Sequence, residues 1–112
     1  ISYDLKQIVH FDDGRKIIKD YLSGETLNHT MNWSKTYHEL PKKGKEEGET
    51  VTYSYFVQEH PIIGYNTSYQ SKNNEVDVTT PENAAIVSGI ITIRNVSTRK
   101  YVLPNAGGPG VI

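Results

Sequence analysis

Two polar residues close otherwise apolar strand faces in this chain, and a lysine could act on them. From Val51 to Glu59 the residue types alternate. Val51, Tyr53, Tyr55, Val57 and Glu59 share one face, and Thr52, Ser54, Phe56 and Gln58 share the other. In the short apolar run that starts at Ile90, Ile91, Ile93 and Asn95 fall on one face. A carboxyl group among apolar side chains is driven toward its neutral form and can donate a proton. A lysine taken out of water is driven toward the free amine, which is a nucleophile. Strands that hold two reactants side by side supply a high effective concentration. Lys6 is the lysine near the start of the chain; it shares a face with Ile8 and His10, opposite Val9 and Phe11. Each of the three also has a plainer reading. Glu59 is then a strand-end carboxylate turned to solvent beside His60-Pro61, Asn95 a turn residue, and Lys6 a solvated surface charge.

Other chemistries find little footing. His10, His29, His38 and His60 lack metal-ligand spacing, and Asp12, Asp13 and Asp20 lack a calcium-loop pattern. No Ser-His-Asp set, phosphate loop or dinucleotide fingerprint is present. An enzyme that turns over, a metal and a cofactor are therefore not expected. Asn-x-Ser/Thr sites at Asn28, Asn32, Asn66 and Asn95 read as accidents of a Thr-rich strand protein. Tyr53, Tyr65 and Tyr69 could form an aromatic binding strip, but core packing explains them more cheaply.

The elements that must position these residues are strands. The chain has 112 residues, 8 Tyr, 1 Met and no Cys. That is one small domain without disulfides. A net charge of -1 gives no case for nucleic acid as a partner. No apolar run is long enough to span a bilayer as a helix. Gln7 to Phe11 and Lys16 to Tyr21 read as strands joined by an Asp12-Asp13-Gly14 hairpin turn. Trp33 to Tyr37 reads as another strand, and Pro41 to Gly48 as a charged, Gly-punctuated loop. Asn73-Asn74-Glu75 reads as a turn and Pro81 to Ala85 as a single helical turn. Short strands with regular turn signals predict an all-β sandwich. Trp33, Tyr37, Val51, Tyr53, Tyr55, Val57, Ile91 and Ile93 are expected largely inward, and the tail from about Tyr101 onward is expected to be disordered or extended.

The middle of the chain resembles the Cna B-type domain of Gram-positive pilins and surface adhesins. The carriers are Asn32-Trp33-Ser34-Lys35-Thr36-Tyr37, Leu40-Pro41-Lys42, the run Val51 to Glu59, Pro61-Ile62-Ile63-Gly64-Tyr65, and Ile91 to Asn95. The resemblance runs from about Gln7 to Asn95. It implies an Ig-like β-sandwich over residues 1–100 and a self-formed isopeptide bond. In such domains a lysine on the first strand attacks an asparagine carboxamide on the last strand, ammonia leaves, and a buried acid assists. By that resemblance Asn95 is the acceptor, Glu59 the catalytic acid and Lys6 the visible nucleophile. Gln7 to Phe11 aligns with the second strand of the family, so the lysine strand is expected before residue 1 or is very short; if it is missing, its place is filled by another chain or by a further segment.

The tail, residues 101–112, resembles the LPxTG-type sorting signal that a sortase cuts. The carriers are Leu103, Pro104, Asn105, Ala106 and Gly107, with Ala106 where the motif has Thr. Pro104 bends the chain and the glycines let it lie close to an enzyme groove. The resemblance implies cutting between Ala106 and Gly107, a hydrophobic anchor from about Val111-Ile112, and a cell-wall-anchored location. The expected role is a stalk or pilin subunit whose partners are a sortase and neighbouring pilin subunits or peptidoglycan. The alternative is an adhesin domain that binds a host ligand through an exposed aromatic or apolar patch.

Overall fold

The structure is a computed structural model and describes residues 1–72 and 74–98. It is all-β, with two antiparallel sheets. Strands β1 (Ser2–Phe11), β2 (Lys16–Thr26), β3 (Lys43–Glu46) and β4 (Glu49–Glu59) form the first sheet, in the order β2-β1-β4-β3. Strands β5 (Tyr65–Ser71), β6 (Asn74–Val78) and β7 (Ile91–Ser97) form the second, in the order β6-β5-β7.

The first sheet is built around β1 and β4, which pair from Tyr3 opposite Glu59 to Phe11 opposite Val51. The two-residue period puts Leu5, Val9, Phe11, Val51, Tyr53 and Tyr55 on one face, where they form the main core cluster. Burying each such side chain contributes roughly 1.5–3 kcal/mol. The opposite face is not solvated at its centre, because Ile8, Ser54 and Phe56 are buried too. Strand β4 is paired along both edges. Beyond β3 its ladder continues to Ile86, which exchanges two backbone hydrogen bonds with Tyr55 at 2.8 and 2.9 Å.

The turns follow the residue types. Gly14, at φ 92°, lets the β1–β2 hairpin reverse. Glu47 and Gly48, both at positive φ, make the tight β3–β4 turn. Residues 43–46, expected in a charged loop, are therefore a strand. The β1–β2 register slips twice between Tyr3 and Lys6. Gly24, at positive φ, donates its N–H to the Asp4 carboxylate at 2.9 Å across the first slip, so β2 runs on to Thr26 instead of ending near Tyr21. Pro81–Ala84 forms the expected single helical turn, with Pro in the first turn where no N–H is missed.

The expected strand at Trp33–Tyr37 is not formed. Asn32 and Trp33 sit at φ 53° and 54°, which ends any extended run. Asn28 caps the preceding turn His29–Met31 and its carbonyl accepts the Trp33 N–H. The following segment then crosses the first sheet, held by side chains in place of a ladder. The Tyr37 and Tyr3 hydroxyls lie 2.6 Å apart, Tyr37 donates to Glu25 at 2.9 Å, and Tyr55 donates to the Pro41 carbonyl at 2.6 Å. Of the residues expected inward, Val51, Tyr53 and Tyr55 are buried. Tyr37, Val57, Ile91 and Ile93 are half-buried, and Trp33 is 56% exposed. Leu5, Tyr55 and Val57 of the first sheet and Ile91 and Ile93 of the second line an open groove of about 1010 Å³.

Candidate functional site

Glu59 ends β4 and is 4% exposed, on the core face as the alternation requires. The loop from His60 to Gly64 then carries the chain into the second sheet. There β5 brings Thr67 opposite Asn95 of β7. Three side chains from three strands meet. The Asn95 Nδ2 donates to Glu59 Oε2 at 2.7 Å. The Thr67 hydroxyl lies 2.9 Å from Glu59 Oε1 and 2.7 Å from Asn95 Oδ1. Thr67 has one hydroxyl proton for two oxygens. It can be donated to Glu59 Oε1 or to Asn95 Oδ1, one at a time.

A fourth group fixes the acid. The Glu59 N–H donates to the Tyr69 hydroxyl oxygen at 2.8 Å. Tyr69 is 3% exposed, and burial, with the nearby Glu59 carboxyl adding to it, pushes its phenol above the ordinary range. Tyr69 and Thr67 lie on the same face of β5 as Ser71, pointing at Ile93, Asn95 and Ile91 of β7.

This arrangement can activate the Asn95 carboxamide. The carbonyl oxygen accepts from Thr67, which draws charge from Cγ. The amide nitrogen, the leaving group, is bonded to the carboxyl that can protonate it. Among the described residues no amine is hydrogen-bonded into the cluster. Lys6 does not supply it. Residues directly opposite in the ladder point to the same side, so Glu59 shares the side of Tyr3, and Lys6 lies on the other. There it pairs with Asp20. The structure thus brings Glu59 and Asn95 together and leaves Lys6 apart. Leu103 to Gly107 lie outside the described residues. Among those residues no group of His, Cys, Asp or Glu could hold a metal ion.

Thr67 was not singled out by the sequence, and Tyr69 was considered only for an aromatic strip. The signal was available: Tyr65, Thr67, Tyr69 and Ser71 alternate as a strand face, and a strand paired with β7 has to place one of them beside Asn95.

The sequence pattern of the Cna protein B-type domain matches residues 7–81. The chain belongs to that family. The match covers more than half of the chain, and the two-sheet antiparallel fold agrees with the Ig-like sandwich of Cna B-type domains. It includes Glu59, Thr67 and Tyr69 and stops before Asn95. Cna B-type domains are typical of cell-surface proteins, which places this chain in the class of Gram-positive surface or pilin-like stalk proteins. No curated protein and no solved structure matches the chain.

Proposed function

We propose that this domain is a load-bearing unit of a Gram-positive surface stalk, joined covalently at two places. One is Asn95, linked through a new amide to a lysine amine with Glu59 as the acid. The other is the tail, cut by a sortase between Ala106 and Gly107 and passed to a neighbouring subunit or to peptidoglycan. The observation that supports the first link is the closed set of hydrogen bonds among Glu59, Thr67 and Asn95. A carboxamide whose oxygen is engaged by a half-buried hydroxyl and whose nitrogen is engaged by a buried carboxyl is poised for acyl transfer. A covalent tie of this kind suits a small domain with no cysteine. Where the lysine belongs to the same chain, such a tie adds about 4 kcal/mol, by analogy with a disulfide closing most of a domain into a loop.

Peptide mapping of the protein taken from its cell surface tests the first link. A branched peptide joining Asn95 to a lysine is expected, and Glu59→Gln should remove it. Asn95 recovered only as free asparagine would end this reading. For the second link, a sortase of the source organism should release the two residues' flanking peptides at Ala106-Gly107. If it does not, and Ala106→Thr does not rescue cutting, the tail is not an anchor.

A further inference from the structure

Strand β2 closes one side of the first sheet and, among the described residues, is paired to β1 alone. From Lys16 to Asp20 its register with β1 is regular, with Ile18 opposite Ile8 and Asp20 opposite Lys6. The slips lie beyond Asp20, so these five residues form an even edge. Ile17 and Ile18 are 39% and 44% exposed there, although each lies opposite a buried residue of β1. Strand alternation decides which backbone groups face outward. The Tyr53 and Tyr55 N–H groups point away from β1, to the Lys42 and Ile86 carbonyls. Thr52, Ser54 and Phe56 therefore bond to His10, Ile8 and Lys6 of β1. Gln7 and Val9 are left to bond with Lys19 and Ile17 of β2, as Phe11 does with Arg15. The N–H and C=O groups of Lys16, Ile18 and Asp20 face the outer edge, and any strand that joins it has to match these three.

A second copy of β2 can do so, antiparallel about a two-fold axis. Outward residues pair only with outward residues, so few registers exist. Setting Lys16 against the partner's Lys16, or Asp20 against the partner's Asp20, opposes like charges. Setting Ile18 against the partner's Lys16 or the partner's Asp20 faces an apolar side chain with a charge. One register remains: Ile18 against the partner's Ile18, with Lys16 against the partner's Asp20 on both sides of it. The charges then fall in a row. Lys16 already pairs with Glu82, and Asp20 with Lys6. Joining the copies puts Glu82, Lys16, the partner's Asp20 and the partner's Lys6 in line, alternating in sign. The charges that repel a copy in the wrong register select the right one.

We infer that two copies of this domain associate side by side through their β2 edges, in the antiparallel register centred on Ile18. The contact uses neither Asn95 nor the tail, so it stands or falls apart from the covalent links proposed above. Five residues of each strand bury little area, so the dimer is weak and exchanges rapidly. On a surface that carries many stalks it would bundle neighbours, because each contact forms at a high local concentration.

Sedimentation equilibrium of the 112-residue protein, from micromolar to millimolar concentration, should show a reversible monomer–dimer equilibrium. Amide exchange followed by NMR should slow with concentration at Lys16, Ile18 and Asp20. It should not change at Ile17 or Lys19, which already bond to β1. Lys16→Glu and Asp20→Lys should each weaken the dimer about tenfold or more, since each opposes like charges at two places. Mixing the two variants should restore it, because each changed side chain then meets its opposite while the contacts within each chain stay the same. A protein that remains monomeric up to millimolar concentration overturns the inference. So does a dimer whose protection lies on β6 or β7, a dimer indifferent to both charge changes, or a pair of variants that mixing does not rescue. If neither variant folds, the alternate amide protection of the unaltered chain decides alone. A longer chain in which these three amides are protected at every dilution also overturns it, because the edge is then covered from within.

Discussion

The two ends of the β4 core face are built differently. At the Val51 end, Val9 and Val51 are almost completely excluded from water and Phe11 and Tyr53 pack beside them. At the Glu59 end the same face opens into the groove, Val57 is half-buried and polar side chains meet. One strand therefore carries a closed core and an open site in nine residues. The contrast separates what holds the domain together from what it leaves ready to react. Stability should be concentrated at the closed end, and substitutions on the rim of the open end should cost little.

The largest effect is expected from Phe11→Ala. It removes a buried ring that also lies 4.3 Å under the Arg15 guanidinium. Urea unfolding should show a loss of about 3–5 kcal/mol. A result under 1 kcal/mol would mean that the closed end is not the core. Gly44→Ala comes next. A Cβ there would stand 2.6 Å from the Tyr53 hydroxyl and 3.0 Å from its ring. Tyr53 is buried and donates to Glu46, so it cannot swing away freely. The expected cost is about 1–3 kcal/mol.

Tyr37→Phe probes the boundary between the two ends. It removes the donor to Glu25 and the partner of Tyr3, for a loss of about 1 kcal/mol and faster proteolysis within residues 33–42. It also bears on alkaline stability. Burial, then the hydrogen bonds with Tyr3 and Glu25, push the Tyr37 phenol above its ordinary value near 10. A group that binds its proton more tightly when folded stabilises fully below its unfolded pKa. That stability is lost as pH climbs through the folded value. The protein should therefore weaken above pH about 10, and Tyr37→Phe should weaken less steeply. The smallest effect belongs to the rim. Ile90→Ser should change stability by no more than about 0.5 kcal/mol. A larger loss would show that the groove is already part of the core.

The parts of the fold that were legible in the sequence are those where one local rule acts alone. Val51 to Glu59 alternates because one face meets the main core, and the Asp12-Asp13-Gly14 turn needs only a residue that accepts positive φ. Glu59 and Asn95 were legible as polar ends of apolar faces. Where two influences compete, the pattern misleads. Trp33 to Tyr37 has strand-forming residues, but left-handed Asn32 and Trp33 and the long-range hydroxyl contacts of Tyr37 decide its path. Lys6 looked available because its neighbours were counted along the chain, whereas strand pairing turns it away from Glu59 and toward Asp20. Thr67 was hidden because a lone threonine gains meaning only from the strand beside it.

Trp33 is the single tryptophan of the chain, and it stands half in water on the rim of the groove. Its indole is thus an optical gauge built into the molecule, with no second indole to blur the signal. In the open protein it should emit at the red end of the tryptophan range and be quenched by iodide. Anything that lies down in the groove beside it should shift that emission to the blue and shield it, whatever the identity of the occupant.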